Sequence, residues 1–321
     1  MQAEKVHLVS EEEYFKFFVK SMNPYVSREF LLLNSKKTES LLFVVNDVSK
    51  ATIGIVLGVK NNWLLSPFSA PFGGLHYKHE NIYISQIEEF FSRLIEFTRV
   101  NRFENLRIIL PPTIYNCTFN AKAANVMHRL GFSIQIPDLT NWIRVDQFKD
   151  SFTQKNAREY YNQSLRNNLT FLPSEDPSDK EAIYDIICQN RAKFGRPIFM
   201  SFKDIMEVSS LWKVDFFKVV APNEGIVAGG IFYRFHPQIV YALFWGDTEE
   251  GRPLRAMDSL SFHLYSFYKV LGYQYIDLGI STENGGNPNE GLLRFKEMHE
   301  ADTELRFTYL FEVQTDKESR I

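Results

Sequence analysis

The sequence has few cysteines, only short apolar runs and almost no net charge. Its 321 residues include two cysteines, which excludes a disulfide scaffold and a four-cysteine zinc site. Apolar stretches such as Ile53–Val59 are far shorter than the ~20 residues that cross a bilayer. A net charge of −3 argues against a dedicated nucleic-acid-binding protein. Because the glutamate-rich segment Met1–Phe18 does not resemble a signal peptide, we expect a soluble, cytoplasmic protein with no membrane span.

Several common catalytic signatures are also missing from the sequence. It contains no Gly-x-Ser-x-Gly, Gly-x-x-x-x-Gly-Lys or Gly-x-Gly-x-x-Gly, so hydrolase, P-loop and Rossmann interpretations lack support. The pair His76 and His79 has no third ligand at a known zinc spacing, and we expect no metal site. Cys188 lies on the apolar side of a predicted helix and is expected in the core.

The first half of the sequence predicts helices around a three-stranded meander. Ser10 and Glu13 have capping-box spacing ahead of apolar residues at helical spacing. Short apolar runs separated by Asn-Asp and Asn-Asn turns predict the meander. The further elements are strands at Leu41–Val45, Thr52–Val59, Trp63–Leu65, Leu106–Leu110, Phe132–Ile136 and Trp142–Val145, a helix capped by Ser85–Glu88, and a helix at Ala121–Leu130.

The second half predicts the same order of elements. A helix capped by Ser178–Glu181 and a helix from Ser201 precede a second meander. The other predicted elements are strands at Phe216–Val220, Ile226–Phe235, Ile239–Trp245, Tyr275–Leu278 and Glu304–Val313, and helices at Met257–Val270 and Glu290–Met298.

Equivalent positions in the two halves lie at nearly constant spacing. Val44 and Val219 are 175 residues apart, and Leu110 and Leu278 are 168 apart. Similar offsets in the same order indicate a tandem repeat. We therefore predict an α+β (mixed α/β) protein of two domains, 1–150 and 151–321, each a mixed, mostly antiparallel sheet flanked by helices. The second domain includes a connecting helix within Phe152–Asn168.

The repeated unit resembles the GNAT N-acyltransferase fold, and two units in one chain resemble its FemAB-like, or peptidoglycan aminoacyltransferase-like, branch. Four segments in sequential order carry the resemblance: Ser66–Gly74, Leu110–Tyr115, Asp277–Gly279 and Gly291–Glu297. The chain departs from ordinary GNAT enzymes in one respect. The acyl-CoA phosphate loop, Gln/Arg-x-x-Gly-x-Gly/Ala, is intact in neither half.

The resemblance implies an acyl-donor site in the second half. There the last meander strand would hold the acyl carbonyl, and the following helix N-terminus would hold phosphate. Guanidinium groups suit phosphate through their fork geometry, although these arginines could instead pair with neighbouring glutamates. The expected donor-binding residues are Trp245, Gly246, Gly251, Arg252, Arg255 and Lys296.

Acyl transfer to an amine also requires a base, a proton donor and an acceptor site. Asp247 and Glu249 are candidate bases, and Tyr241 is a candidate proton donor, although loop carboxylates are commonly exposed and strand tyrosines commonly belong to the core. Candidate substrate-binding residues are Arg196, Asp277, Ser281, Glu283, Asn284 and Tyr115.

The leading prediction is an N-acyltransferase that moves an acyl group from acyl-CoA, such as acetyl-CoA, to an amine bound between the halves. The acceptor would be a small molecule or a cell-wall precursor. One alternative is a FemAB-like aminoacyltransferase that uses aminoacyl-tRNA, which requires a local basic surface. Another is a degenerate, non-catalytic binding module, which the altered phosphate loop favours. The sequence leaves the oligomeric state open.

Overall fold

The computed structural model describes residues 6–19 and 23–314. They form two compact units: residues 6–19, 23–138 and 305–314 form the first unit, and residues 139–304 form the second. Helices and strands are mixed in both units, which confirms the α+β class. No helix within the described residues is long and apolar enough to cross a membrane.

The first unit contains a mixed sheet with helices packed against it. Its strand order is β1-β2-β3-β4-β6-β13, and β5 pairs with β3. The elements are β1 (His7–Val9), α1 (Glu11–Phe17), α2 (Arg28–Leu33), β2 (Ser40–Val45), β3 (Ile53–Lys60), β4 (Trp63–Ser66), β5 (His76–Tyr77), α3 (Ile84–Val100), β6 (Asn105–Ile109), α4 (Cys117–Arg129), the first half of β7 (Ser133–Arg144) and most of β13 (Asp302–Glu312).

Helix α3 supplies much of the apolar core of the first unit. Phe90, Phe91 and Leu94 recur at helical spacing and are buried, because this spacing places them on one face. They pack in one cluster with Leu106 and Ile108 of β6. Burial of each such large side chain contributes about 1.5–3 kcal/mol, which ties the helix to the sheet.

The second unit repeats the order of helix pair, meander, helix, strand and helix. Its strand order is β7-β12-β11-β10-β9-β8. The elements are the second half of β7, α5 (Lys155–Arg166), β8 (Thr170–Pro173), α6 (Pro177–Lys193), α7 (Phe202–Val208), β9 (Lys213–Ala221), β10 (Gly225–Arg234), β11 (Ile239–Asp247), α8 (Ala256–Val270), β12 (Tyr275–Ile280) and α9 (Glu290–Met298).

Two apolar clusters hold the helices of the second unit to its strands. Ile183 and Ile187 of α6 are buried with Ile231 of β10, and Leu260 and Leu264 of α8 belong to the other cluster. The α6 helix approaches β10 closely at Gly229, where an added Cβ would lie 2.8 Å from the Ile183 side chain. Glycine is therefore the residue that this packing requires.

Most predicted elements are confirmed, but several boundaries are wrong; α4, for example, begins at Cys117 and not at Ala121. Helix α3 begins at Ile84, because the Gln86 side chain accepts the Tyr83 N–H at 3.3 Å, so Ser85 is not its cap. Helix α6 is capped by Asp176, whose carboxylate accepts the N–H groups of Ser178 and Asp179. The two strands predicted within 132–145 are one continuous strand, β7. The cap at Ser10 is confirmed.

Candidate functional site

The neighbouring parallel strands β11 and β12 part from one another in the second unit. They pair from Ile239 with Tyr275 to Tyr241 with Asp277. Beyond these pairs β11 continues along β10 to Asp247, and β12 continues along β7 to Ile280. We call the space between β11 from Ala242 onward and β12 from Leu278 onward the fork.

A bulge lies in β11 where the fork opens. Ile231 of β10 pairs with Phe244, and the next residue, Phe232, pairs with Ala242, so that Leu243 is inserted between the paired residues. A bulge bends the strand and interrupts its ladder, and such features are frequent beside functional sites. The backbone of β11 is therefore irregular along the wall of the fork.

Lys296 of α9 lies at the base of the fork. Its side chain is 1% exposed, and its Nζ donates to the carbonyl oxygens of Gly279 and Ile280 at 2.9 and 3.0 Å. Burial lowers the pKa of this amine to about 7; Asp277 partly offsets the effect, and Arg191 adds to it. Lys296 also lines a cavity of about 190 Å³ with Tyr241, Trp245 and Gly279.

A larger cavity of about 530 Å³ adjoins the fork and is rich in arginine. Trp245, Arg191 and Arg196 line both cavities, and Arg252 and Arg255 line the larger one. The Arg255 guanidinium stacks over the Tyr160 ring at 3.6 Å from the centroid. The larger cavity is lined by Asn190, Arg191, Phe194, Arg196, Trp245, Gly246, Asp247, Arg252, Arg255, Met257, Asp258, Asn289, Gly291, Leu292 and Phe295.

Two carboxylates line the larger cavity but are compensated locally. Asp247 lies 3.2 Å from the Arg252 guanidinium. Asp258 lies 3.0 Å from Nε2 of the buried His299, whose Nδ1 lies 2.7 Å from the Phe295 carbonyl oxygen. Because a carbonyl only accepts, Nδ1 carries a hydrogen. The lining as a whole has four arginines against these two carboxylates. The cavity therefore keeps an excess of positive charge.

The loop between β11 and α8 bonds four of its amides internally, whereas the N–H groups of Met257 and Asp258, in the first turn of α8 and in the larger cavity lining, have no acceptor within residues 6–19 and 23–314. The Gly251 N–H donates to Thr248 Oγ1 at 3.0 Å, and the Ala256 N–H donates to the Gly251 carbonyl at 3.0 Å. The amides of Arg252 and Arg255 likewise donate to carbonyls of the loop. Gly251 has a packing role, because a Cβ there would lie 2.3 Å from the Val227 carbonyl oxygen. Phosphate contacts thus fall to the arginine side chains and to the amides of Met257 and Asp258.

The three predicted catalytic residues occupy different environments. Asp247 is buried at the end of β11, where desolvation raises its pKa against the opposing effect of Arg252, and Asn190 donates to its carboxylate at 2.8 Å. Tyr241 lines the smaller cavity, and its ring stacks with Phe235. Glu249 is two-thirds exposed, pairs with Lys193 and lies outside both cavity linings. The structure thus brings Asp247 and Tyr241, but not Glu249, to the site.

Two of the predicted substrate-binding residues line a cavity as an ion pair. Arg196 pairs with Glu283, and both line the smaller cavity. Asp277 accepts the Gly279 N–H at 2.8 Å and lies beneath the fork, where it acts on the Lys296 amine. Ser281 is buried and donates to Asn141. Asn284 lies in an exposed helical turn, so Arg196 and Glu283 are the members of this group that line the cavities beside the fork.

Tyr115 lies in the first unit and not beside the fork. It is buried, contacts the Phe72 ring at 4.9 Å between centroids, and lines a separate cavity of about 220 Å³. His76 lines the same cavity, and burial lowers its pKa to about 3. No group of residues suited to a metal ion occurs within residues 6–19 and 23–314.

Sequence reasoning missed Arg191, Phe194 and Asp258 as cavity-lining residues. Arg191 and Phe194 lie at the end of α6, where a solvent-facing arginine and a helix-ending aromatic give the same pattern. Asp258 lies in the first turn of α8, where an acidic residue is also favoured by the helix dipole. Asp258 differs from an ordinary helix-start acid in its contact with His299, which lies 41 residues later in the chain. A contact at that separation is not visible in the sequence.

No protein-family model matches the sequence, and no curated protein sequence matches it. Solved structures do resemble the chain. FemX matches with a TM-score of 0.64 and 10% identity, over 96% of this chain and 97% of that one. The C-terminal domain of a putative lysylphosphatidylglycerol synthetase from Agrobacterium fabrum matches at 0.60 and 11%, over 94% and 90%.

A tandem GNAT protein from the clavulanic acid biosynthesis pathway matches with a TM-score of 0.56 and 11% identity, over 97% of this chain and 99% of that one. At such identities the likeness concerns the fold alone. It agrees with the resemblance that the order of elements predicted. The chain therefore shares its fold with FemX and with a tandem GNAT protein.

Proposed function

We propose that the second unit catalyses transfer of an acyl group from an activated ester or thioester to an amine. The observation that carries this proposal is the fork, with the buried amine of Lys296 at its base. A fork between parallel strands lets a flat acyl group reach the backbone of both strands. The buried Lys296 ammonium stabilises the negative charge that develops on the acyl oxygen, in a site with little water.

The contacts of Lys296 suit it to move a proton. A neutral amine has two N–H groups, and the carbonyls of Gly279 and Ile280 accept two hydrogen bonds. The protonated form has a third N–H that can be donated to the acyl carbonyl or the leaving atom. With its pKa near 7, both forms are accessible at neutral pH.

The proposed step is balanced within the substrates and Lys296. The neutral acceptor nitrogen attacks the acyl carbon, so that a C–N bond forms and the C–O or C–S bond breaks. The Lys296 ammonium gives its proton to the leaving oxygen or sulfur. The nitrogen that has attacked then loses a proton to the neutral amine, which restores Lys296.

The first candidate donor is an acyl-CoA. Arg191, Arg252 and Arg255 line the larger cavity next to the fork and can bind phosphate oxygens through their guanidinium groups. The acceptor is proposed to be an amine on a small molecule or a cell-wall precursor.

A second candidate donor is an aminoacyl-tRNA. The internally bonded amides at Gly251, Arg252, Arg255 and Ala256 favour it, because they leave a diphosphate only the Met257 and Asp258 amides of this helix N-terminus among the described residues. Single phosphodiester charges can be held by separate arginine side chains. A non-catalytic module has less support, because a buried amine of lowered pKa has little structural benefit.

Ligand-dependent stabilisation distinguishes the donors. Coenzyme A or uncharged tRNA is added to the full chain, and the melting temperature is measured, because a ligand that binds only the native state raises it. Acyl transfer from acetyl-CoA or from a mixture of aminoacyl-tRNAs to hydroxylamine is then assayed. We expect one donor to give both a shift and transfer.

The double variant Arg252→Ala with Arg255→Ala should lose the shift, and Arg166→Ala, an exposed arginine at the end of α5, should keep it. No shift and no transfer with either donor would contradict the proposed function. A full shift in the double variant would remove the phosphate assignment.

A further inference from the structure

Phe194 is an exposed aromatic residue in the wall of the larger cavity. It follows the end of α6 and precedes Gly195, which has a positive φ of 69° and turns the chain. Half of the Phe194 surface is exposed, although the ring lies in a cavity lining. Exposure of a large ring inside a concave site costs free energy that a bound planar group would recover.

Two guanidinium groups lie next to this ring. The Arg252 guanidinium carbon is 5.5 Å from the Phe194 centroid, and that of Arg196 is 6.0 Å away. Both distances fall within the range of cation–π attraction. The same cavity contains the Arg255 guanidinium stacked on Tyr160. The cavity wall therefore combines an exposed aromatic surface with several arginines.

We propose that this wall is a nucleotide subsite, in which a nucleobase stacks on Phe194 and the attached phosphate contacts Arg191, Arg252 or Arg255. The proposal rests on the proposed transferase function and specifies what part of the donor the larger cavity receives. Both candidate donors contain an adenosine phosphate. The shared chemistry is thus a purine joined to a phosphoryl group.

The charge of the cavity favours a nucleotide over an apolar chain. Asp247 is paired with Arg252, and Asp258 lies 3.0 Å from the His299 ring, so these carboxylates do not cancel the remaining arginines. An alkyl chain placed here would remove water from charged guanidinium groups without giving them a partner, which is costly. A nucleotide suits both parts of the wall. Its base stacks on the Phe194 ring, and its phosphate oxygens accept hydrogen bonds from the arginine side chains.

The test compares adenosine 5′-monophosphate with ribose 5-phosphate, which lacks the base, by calorimetric titration of the full chain. We expect the monophosphate to bind more tightly, by the factor of about 5 to 150 that stacking of one base supplies. Phe194→Ala should reduce its affinity to that of ribose 5-phosphate and leave ribose 5-phosphate binding unchanged. Phe194→Tyr should retain most of the difference.

Phe199 provides a matched control in the same segment. Its side chain is 94% exposed and lies outside both cavity linings, so Phe199→Ala should bind both ligands as the unchanged chain does. Equal loss of both ligands in Phe194→Ala would show a structural defect and not stacking. Unchanged monophosphate affinity in Phe194→Ala, or no binding to the unchanged chain, would likewise overturn the proposal.

Two further arms identify the source of the nucleotide. Coenzyme A and a short RNA that ends in the CCA sequence are each titrated into the unchanged chain and into Phe194→Ala. The donor that uses the subsite should lose affinity in the variant by the same factor as the monophosphate. If the monophosphate binds through Phe194 but neither donor supports acyl transfer, the nucleotide subsite stands and the transferase function fails.

Discussion

The two units follow the same order of elements but differ at one equivalent pair of parallel strands, β4 and β6 in the first unit and β11 and β12 in the second. In the second unit β11 and β12 pair over three residues and then part. In the first unit all four residues of β4 pair with β6. The chain that follows β4 folds back against the ends of β4 and β6. There the Gly73 N–H donates to the Ile109 carbonyl at 2.9 Å, and the Gly74 N–H donates to Ser66 Oγ at 3.0 Å. We call this region the closed seam.

The difference shows that the order of helices and strands does not by itself open a fork between the parallel strands. The closed seam depends on Gly73, where an added Cβ would lie 2.6 Å from the Pro67 nitrogen. The fork has a bulge at Leu243 and a buried lysine instead. The chemistry that we propose therefore belongs to the second unit, and the predictions below test this assignment in order of expected effect.

Replacement of Lys296 should have the largest effect. Lys296→Met removes the buried amine, and we expect transfer to fall by about 10²- to 10⁴-fold, the usual contribution of a positioned acid or base. The measurement is kcat with the donor that supports transfer, together with circular dichroism to show that the chain folds. Lys203→Met, at an exposed position of α7, should have unchanged kcat. A fully active Lys296→Met would remove the proposed mechanism.

A substitution in the closed seam should affect stability and not transfer. The Cβ of Gly73→Ala would meet the backbone of Ser66 and Pro67, and we expect a loss of about 1–3 kcal/mol in the free energy of unfolding. Urea titration measures this loss, and transfer is normalised to folded protein. Gly131→Ala, where φ is +90° but the added Cβ has open space, should lose only about 1 kcal/mol. Lost transfer in folded Gly73→Ala would show that the first unit also serves the reaction.

The lowered pKa of Lys296 should appear in the pH dependence of stability. Above pH 7 the folded lysine is largely neutral, whereas the unfolded one stays protonated up to its ordinary value near ~10.4. The unfolded state then binds one more proton, so this residue makes the free energy of unfolding rise by about 1.4 kcal/mol per pH unit. Chemical denaturation between pH 7 and 9 should give a shallower slope for Lys296→Met. Equal slopes would contradict the lowered pKa.

Loss of the Glu249 carboxylate should have the smallest effect. Its partner Lys193 is also exposed, and surface ion pairs contribute about 0–1 kcal/mol. Glu249→Ala should therefore change kcat little and stability by less than that amount. A large fall in kcat would restore Glu249 as a catalytic base and would require the loop to move into the site.

Much of the fold was accessible from the sequence because apolar periodicity reports on local structure. The capping box at Ser10 and the apolar run Ile239–Trp245 each correspond to an observed element. The helix starts were predicted wrongly where two polar residues compete for the same amides. Asp176 and not Ser178 caps α6, and the Gln86 side chain accepts the Tyr83 N–H at the start of α3. Periodicity does not determine which of two neighbouring polar residues will accept an amide.

The site was accessible only in part, because burial and pairing arise from contacts distant in sequence. Trp245, Gly246 and Arg252 were predicted from their place at the end of the meander, and they line the larger cavity. The burial of Lys296 could not be inferred, since a short helix with charged neighbours usually faces water. Gly251 stays a predicted donor-binding residue, but its close contact with Val227, 24 residues earlier, could not be inferred from a loop glycine.

The central claim is that the acyl group binds in the fork of the second unit. A crystal structure with a non-hydrolysable donor analogue tests it most directly: a ketone analogue of acetyl-CoA, or an amide-linked aminoacyl adenosine. We predict density for the acyl carbonyl between Ala242–Trp245 and Leu278–Ile280, within hydrogen-bond distance of Lys296 Nζ. An empty fork, with the acyl group bound in the first-unit cavity beside His76, would contradict the account.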